Sequence, residues 1–157
     1  MKDFLYLIKK RNYFGAVCVT AFRLAHFSAT SKLRIFLFPL EILYNIIFRH
    51  VIGFDVHPKT NIGPYFCPWH CNGLVVSPRT TLGQHVIVHH NTTIGEKNGF
   101  APTIEDNVCI SPQCSIVGNV RIGKNSIIGI GSVVIKDIPS NSIAVGNPAK
   151  IIKETSI

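Results

Sequence analysis

One apolar residue returns every six positions along the second half of the chain: Val76, Leu82, Val88 and Ile94, then Ile104, Ile110, Ile116, Ile122, Ile128 and Val134. A helix repeats near 3.6 residues and a half-buried strand repeats every two, so neither produces this period. A coil of short parallel strands does, each repeat supplying one strand and one corner. The next position is often Gly (Gly83, Gly95, Gly123, Gly129), and the third is often Asn, Asp or Gly (Asn91, Asn107, Asn119, Asn125, Gly131, Asp137). Those types accept positive φ, which tight corners demand. The fourth position is small or β-branched (Val86, Thr92, Val108, Cys114, Val120, Ser126, Ser132) and suits stacking on its own copy one coil away. The expected core is a column.

The register breaks twice. Ile94 and Ile104 are ten apart instead of six, so the segment 96–103 is expected to leave the column as a protruding loop. Loops on rigid scaffolds often carry function. Upstream, Ile62 and Val76 are fourteen apart instead of twelve, around Phe66-Cys-Pro-Trp-His-Cys-Asn-Gly73.

Residues 4–50 read as helices, punctuated by Gly15 and by the cluster Ser28-Ala-Thr-Ser31. The last of them, 33–48, is rich in Ile, Leu and Phe but interrupted by Pro39, Glu41 and Asn45. It falls short of the about 20 apolar residues that span a bilayer. The organisation expected is a helical segment over 1–52, a parallel coil over 53–140 and a tail over 141–157.

Charge separates the two parts. Residues 1–50 hold eight Lys/Arg against Asp3 and Glu41, whereas 51–157 hold eight against six, so most of the net +8 lies in the leader. No nucleic-acid partner is expected, because no binding module accompanies the charge and the basic residues alternate with Phe, Leu, Ile and Tyr that need burial. Two readings of the leader stand: helices packed on the column or on a partner subunit, or a peripheral contact in which Lys9, Lys10, Arg11, Arg23, Lys32 and Arg34 meet anionic headgroups. Five cysteines in no framework-like spacing indicate reduced thiols. The stretch 4–8 is too short for a signal-peptide core and lacks a cleavage site, so a cytoplasmic protein is expected, with the inner membrane face left open by the leader.

Several residues have metal-ligand types: His57, Cys67 and Cys71, and the trio His85, His89 and His90. The cysteines bracket His70 and the three histidines fall within one repeat, so no metal is expected.

Asp55-Val-His-Pro58, Ile62-Gly63, Trp69-His-Cys-Asn-Gly-Leu-Val-Val76, Thr93-Ile-Gly95, the ladder of six-residue repeats and Gly146-Asn-Pro-Ala-Lys150 together resemble the serine acetyltransferase branch of the hexapeptide-repeat acyltransferases. The resemblance covers about residues 51–153. It implies a mostly β fold, a left-handed parallel β-helix behind a short N-terminal helical segment, assembled as a homotrimer and using acetyl-CoA. The handedness comes from the resemblance alone, since general rules favour right-handed crossovers. It also implies His70 as general base, in the pattern His-x-x-Gly-[Ile/Leu]-Val-Val, and Asp55 as the aspartate that orients it. His57 takes an ordered position near them. The donor is implied in a groove between neighbouring columns, along Gly95, Ser111, Pro112, Ile130 and Gly131, with Lys150, Lys153 and, more weakly, Lys136 at its phosphates.

Two departures bear on the acceptor. The serine enzymes carry an acidic residue just before the catalytic histidine and an Arg-His pair before the Pro of the protruding loop; this chain has Trp69 and Phe100-Ala101 there. Desolvating a zwitterion without partners costs several kcal/mol. Trp69 and Phe100 instead suit the apolar face of a sugar ring. The leader, too, looks more like that of polysaccharide-modifying relatives than like the long helical domain of the serine enzymes. The expected function is acetyl-CoA-dependent O-acetylation of a glycan hydroxyl, on a surface polysaccharide or its precursor. Serine O-acetylation is the alternative within the class. A zinc hydratase of carbonic-anhydrase type and a non-catalytic β-helical binding protein are the alternatives outside it.

Overall fold

A computed structural model describes residues 2–154; residue 1 at the head of the leader and 155–157 at the end of the tail lie outside it. From Phe54 the chain winds as a three-sided parallel solenoid. Face A stacks Phe54–Val56, Leu74–Val76, Thr93–Gly95, Ser115–Val117 and Val133–Val134. Face B stacks Asn61–Ile62, Thr81–Leu82, Thr103–Ile104 and Arg121–Ile122, and face C stacks Cys67–Trp69, Ile87–His89, Cys109–Ile110, Ile127–Ile128 and Ser142–Gly146. Strand Ala149–Glu154 turns back antiparallel on Ser142–Gly146 and closes face C.

The six-residue period is one side of this triangle. Successive members of the apolar series fall on faces A, B and C in rotation and stack in register, as Val76 on Ile94, Leu82 on Ile104 and Val88 on Ile110. All are buried. The small positions form parallel columns that taper along the axis: Phe54, Leu74, Thr92, Cys114 and Ser132 beside face A, and Phe66, Val86, Val108, Ser126 and Ser142 beside face C. The two phenylalanines fill the end of the prism that meets the helices.

Three helices cover that end: α1 (Lys2–Lys9), α2 (Tyr13–Thr30) and α3 (Arg34–Tyr44), the last continuing as a π-helical turn over Asn45–Val51. Asn12 starts α2 by accepting from Gly15 N at 2.9 Å, the usual use of an Asn before a helix. Its Nδ2 donates to the Pro68 carbonyl at 2.7 Å and so ties the helix to face C. Arg23 pairs with Asp3 at 3.1 Å and donates to the Ile62 and Gly63 carbonyls, and Tyr44 Oη donates to Val56 O at 2.7 Å. These bonds satisfy first-coil carbonyls that have no strand beneath them. Among the described residues no helix is long and apolar enough to cross a membrane.

Both irregularities have a structural counterpart. Trp69 pairs with His89 and Val75 with Thr93, so five residues turn the corner in one coil where three suffice in the next. The widened corner holds His70. Gly73 packs there at φ +67°, and a Cβ on it would meet Asn91 Oδ1 at 2.3 Å. The second irregularity is the loop after Gly95, which projects from the edge between faces A and B.

Candidate active site

His70, His90, Pro112 and Ile130 follow one another up a single edge of the prism, where face C turns into face A. Backbone bonds lock these corners together: Asn91 N donates to Asn72 O, Gln113 N to His90 O and Gly131 N to Pro112 O, at 3.0 to 3.2 Å. Each corner contains a residue of positive φ: His70 (57°), Asn91 (53°), Gln113 (63°) and Gly131 (68°). The His70 ring stands edge to face with His90, centroids 5.6 Å apart, and 6.2 Å from Trp69. Among the described residues, Nδ1 of His90 is buried without a hydrogen-bond partner. Neighbouring His89 is held, its Nδ1 donating to the Ile110 carbonyl at 2.9 Å.

Asp55 sits on the first strand of face A, in register with Val75, and its carboxylate accepts from Arg49 Nε at 2.5 Å. Arg49 comes from the π-helical turn and is steadied by Asn45 Oδ1 at 3.0 Å. Among the described residues no hydrogen bond or ion pair joins Asp55 to His70. His57 follows on the same strand end, its Nδ1 accepting from Lys59 N at 3.1 Å. Its pKa is pushed below the ordinary imidazole value, by burial first and then by the Arg49 and Lys59 charges.

The residues expected to meet the donor divide between two edges. Ser111, Pro112, Ile130 and Gly131 lie on the His70 edge, and Ile130 is 69% exposed. With strands about 4.8 Å apart, the run from His70 to Ile130 covers about 14 Å. Lys150 and Lys153 lie beyond it on the closing strand, opposite Val145 and Ile143. Gly95 and Lys136 instead lie on the edge between faces A and B, across the width of face A.

Trp69 and Phe100 are separated in the same way, Trp69 at the His70 edge and Phe100 on the loop. The loop is pinned by paired backbone bonds between Lys97 and Phe100 and by Arg79 from the coil below, whose Nη1 donates to Gly99 O at 3.0 Å. Arg79 Nε also faces Glu96 at 3.8 Å. A cleft of about 320 Å³ opens here, lined by Lys97, Asn98, Phe100, Val117, Gly118 and Ile135. Arg79 and Glu96 escaped the sequence reading. Their only signal is an arginine one coil below a carboxylate at the loop's first position.

The metal-type residues are dispersed. Cys71 is buried against Cys18 and its thiol pKa is raised by that hydrogen bond and by burial, while burial raises Cys67. His85 stacks on Tyr65 with centroids 4.4 Å apart, away from His89 and His90. Among the described residues no group of three His, Cys, Asp or Glu side chains is placed to hold a metal. A cavity of about 450 Å³ lies on the helical cap between α1 and α2, away from His70.

Residues 101–136 match the family described as bacterial transferase hexapeptide (six repeats). The chain is 33% identical over 144 residues to a protein of Bacillus pumilus named serine acetyltransferase, an alignment covering 89% of this chain and 64% of that one. Soybean serine acetyltransferase apoenzyme superposes with a TM-score of 0.83 at 29% identity, covering 96% of this chain and 66% of that one. Serine acetyltransferase of Brucella abortus, solved in complex with coenzyme A, superposes with a TM-score of 0.77 at 31% identity, covering 90% and 57%. The chain thus spans less than two thirds of its curated relative. The solenoid is the left-handed β-helix of those structures. The same matches overturn the expectation of a polysaccharide acceptor, because the relatives are named for serine. That expectation rested chiefly on the loss of charged partners at the Trp69 and Phe100 positions, whereas the loop edge carries an arginine and a carboxylate at other positions, Arg79 and Glu96.

Proposed function

The chain is a homologue of the serine acetyltransferases built on the bacterial transferase hexapeptide repeat, and from that premise we propose that it transfers the acetyl group of acetyl-CoA to the hydroxyl of L-serine. The observation that carries this is the 33% identity to a serine acetyltransferase across 89% of the chain.

In this reading the serine oxygen attacks the thioester carbonyl while His70 takes its proton. The tetrahedral intermediate collapses, the C–S bond breaks, and the imidazolium returns the proton to the CoA thiolate. Asp55, one coil below, stabilises the imidazolium. Pantetheine lies along the His70 edge over Ser111, Pro112, Ile130 and Gly131, and Lys150 and Lys153 of the tail meet the phosphates. Three chains side by side set the loop edge of one against the His70 edge of the next, so that Gly95, Lys136 and Phe100 of one subunit complete the neighbour's site. Trp69 and Phe100 then exclude water from the reacting groups. For serine's charges the loop edge offers Arg79 and Glu96. Their mutual pair is long and exposed, with side chains 63% and 38% accessible, so it exchanges at little cost for the carboxylate and ammonium of the substrate.

Steady-state turnover with L-serine and acetyl-CoA tests the proposal. A kcat/KM above about 10⁴ M⁻¹s⁻¹ is expected, and the absence of O-acetylserine at saturating donor would overturn it.

A further inference from the structure

Helix α3 is turned inside out. It buries Glu41, its only carboxylate, together with Tyr44, whereas Ile35 and Phe36 are 88% and 83% exposed and Phe38, Leu40, Ile42 and Leu43 are exposed with them. The inversion is stable because the buried polar groups are met: Glu41 accepts from Ser28 Oγ at 3.1 Å and from Arg34 Nε at 3.3 Å, and Tyr44 donates to Val56 O. Helix α2 adds an outward stripe at helical spacing, Tyr13, Val17, Leu24 and Phe27. An apolar surface of this extent on a folded chain marks an interface.

Charge identifies what covers it. Residues 2–51 contain two carboxylates, Asp3 and Glu41, and both are buried beneath arginine partners. Every exposed Lys, Arg, Asp or Glu of this segment is therefore cationic: Lys2, Lys9, Lys10, Arg11, Lys32 and Arg34. Lys32 and Arg34 alternate with Leu33 and Ile35 at the start of α3, and Lys9, Lys10 and Arg11 directly precede α2. Apolar side chains flanked by cations, with no exposed carboxylate, fit an anionic interface. A two-fold contact with a second copy would set cations against cations.

We propose that the helical cap docks on an anionic lipid surface, with α2 and α3 lying in the headgroup region and no segment crossing it. The inference stands apart from the acetyl transfer proposed above, and either can fail without the other.

The test is co-sedimentation of the full chain with phosphatidylcholine vesicles, with and without phosphatidylglycerol, at low and high salt. Vesicles containing phosphatidylglycerol should bind the protein about tenfold or more better than those without, and high salt should remove the difference. The double variant Ile35→Ser/Phe36→Ser should lose at least tenfold in vesicle binding while keeping its circular dichroism and its acetyl transfer, since both side chains are free of the fold. Equal binding to both vesicle types would overturn the anionic assignment. Failure to bind either would overturn docking altogether, and dissociation of a larger assembly by the double variant would assign the face to a second copy instead.

Discussion

The His90 imidazole stands edge-on to that of His70, one coil further along the same edge, with the ring planes at 80°. Among the described residues its Nδ1 is buried and has no hydrogen-bond partner, and a buried polar atom left unmet costs about 1–3 kcal/mol. Cost of this kind beside a candidate base points to a group that is met only when substrate is bound.

His70→Asn should lower kcat by about 10²–10⁴-fold, a barrier increase of roughly 3–5 kcal/mol. Asn is the informative replacement because it accepts the positive φ of this corner, where alanine would add strain. Thermal stability and CoA affinity should hold. Turnover within tenfold of the parent enzyme would remove His70 from the role of base.

His90→Phe should keep the ring contact with His70 and delete the orphaned nitrogen. The expected result is an unchanged or higher Tm together with a kcat reduced roughly 10–100-fold, the value of one hydrogen bond to a charged group. If Tm falls while kcat holds, His90 is a packing residue only.

The period of six made the column legible because it equals one side of the triangle, and the extra residues before Val76 and after Ile94 announced the widened corner and the loop. What the period does not encode is which corners share an edge. Gly95 and Ser111 lie on opposite sides of face A, so they can line one groove only between neighbouring columns. Asp55 shows a second limit: the motif pairs it with His70, whereas the π-helical turn that brings Arg49 onto it has no sequence signature. In α3 the apolar pattern revealed a helix but not its facing, since burying Glu41 depends on Ser28 and Arg34, thirteen and seven residues away in sequence. The acceptor was misjudged for a related reason. Charged partners for serine were sought only at the motif positions held by Trp69 and Phe100, whereas the fold brings Arg79 and Glu96 together from successive coils.

His57 gives the fold a pH dependence of definite sign. Its folded pKa lies below the ordinary value of about 6.5, so the unfolded chain binds the proton more readily. Its contribution is present in full above about pH 6.5 and is lost as pH falls from there toward the folded pKa. Melting curves at pH 7.5 and below 6 should show a drop in Tm, and His57→Gln should shrink that drop. An unchanged drop in the variant would place the sensitivity elsewhere.

The loop edge makes the most specific claim about the substrate. Arg79 reaches the loop through Gly99 O and faces Glu96 at 3.8 Å, yet 63% of its side chain is accessible, and an exposed pair of this kind contributes only about 0–1 kcal/mol to folding. A charge-assisted bond to a substrate carboxylate is worth about 1.5–3 kcal/mol. Arg79→Gln should therefore raise the KM for serine about 10–100-fold while leaving the KM for acetyl-CoA and the Tm near their original values. Glu96→Gln should act in the same direction through the ammonium. Ethanolamine separates recognition from general damage: it has serine's hydroxyl and ammonium but no carboxylate, so Arg79→Gln should leave its weak turnover untouched. An equal loss for both acceptors would mean that Arg79 only shapes the loop, and the carboxylate would then have to be met elsewhere in the site.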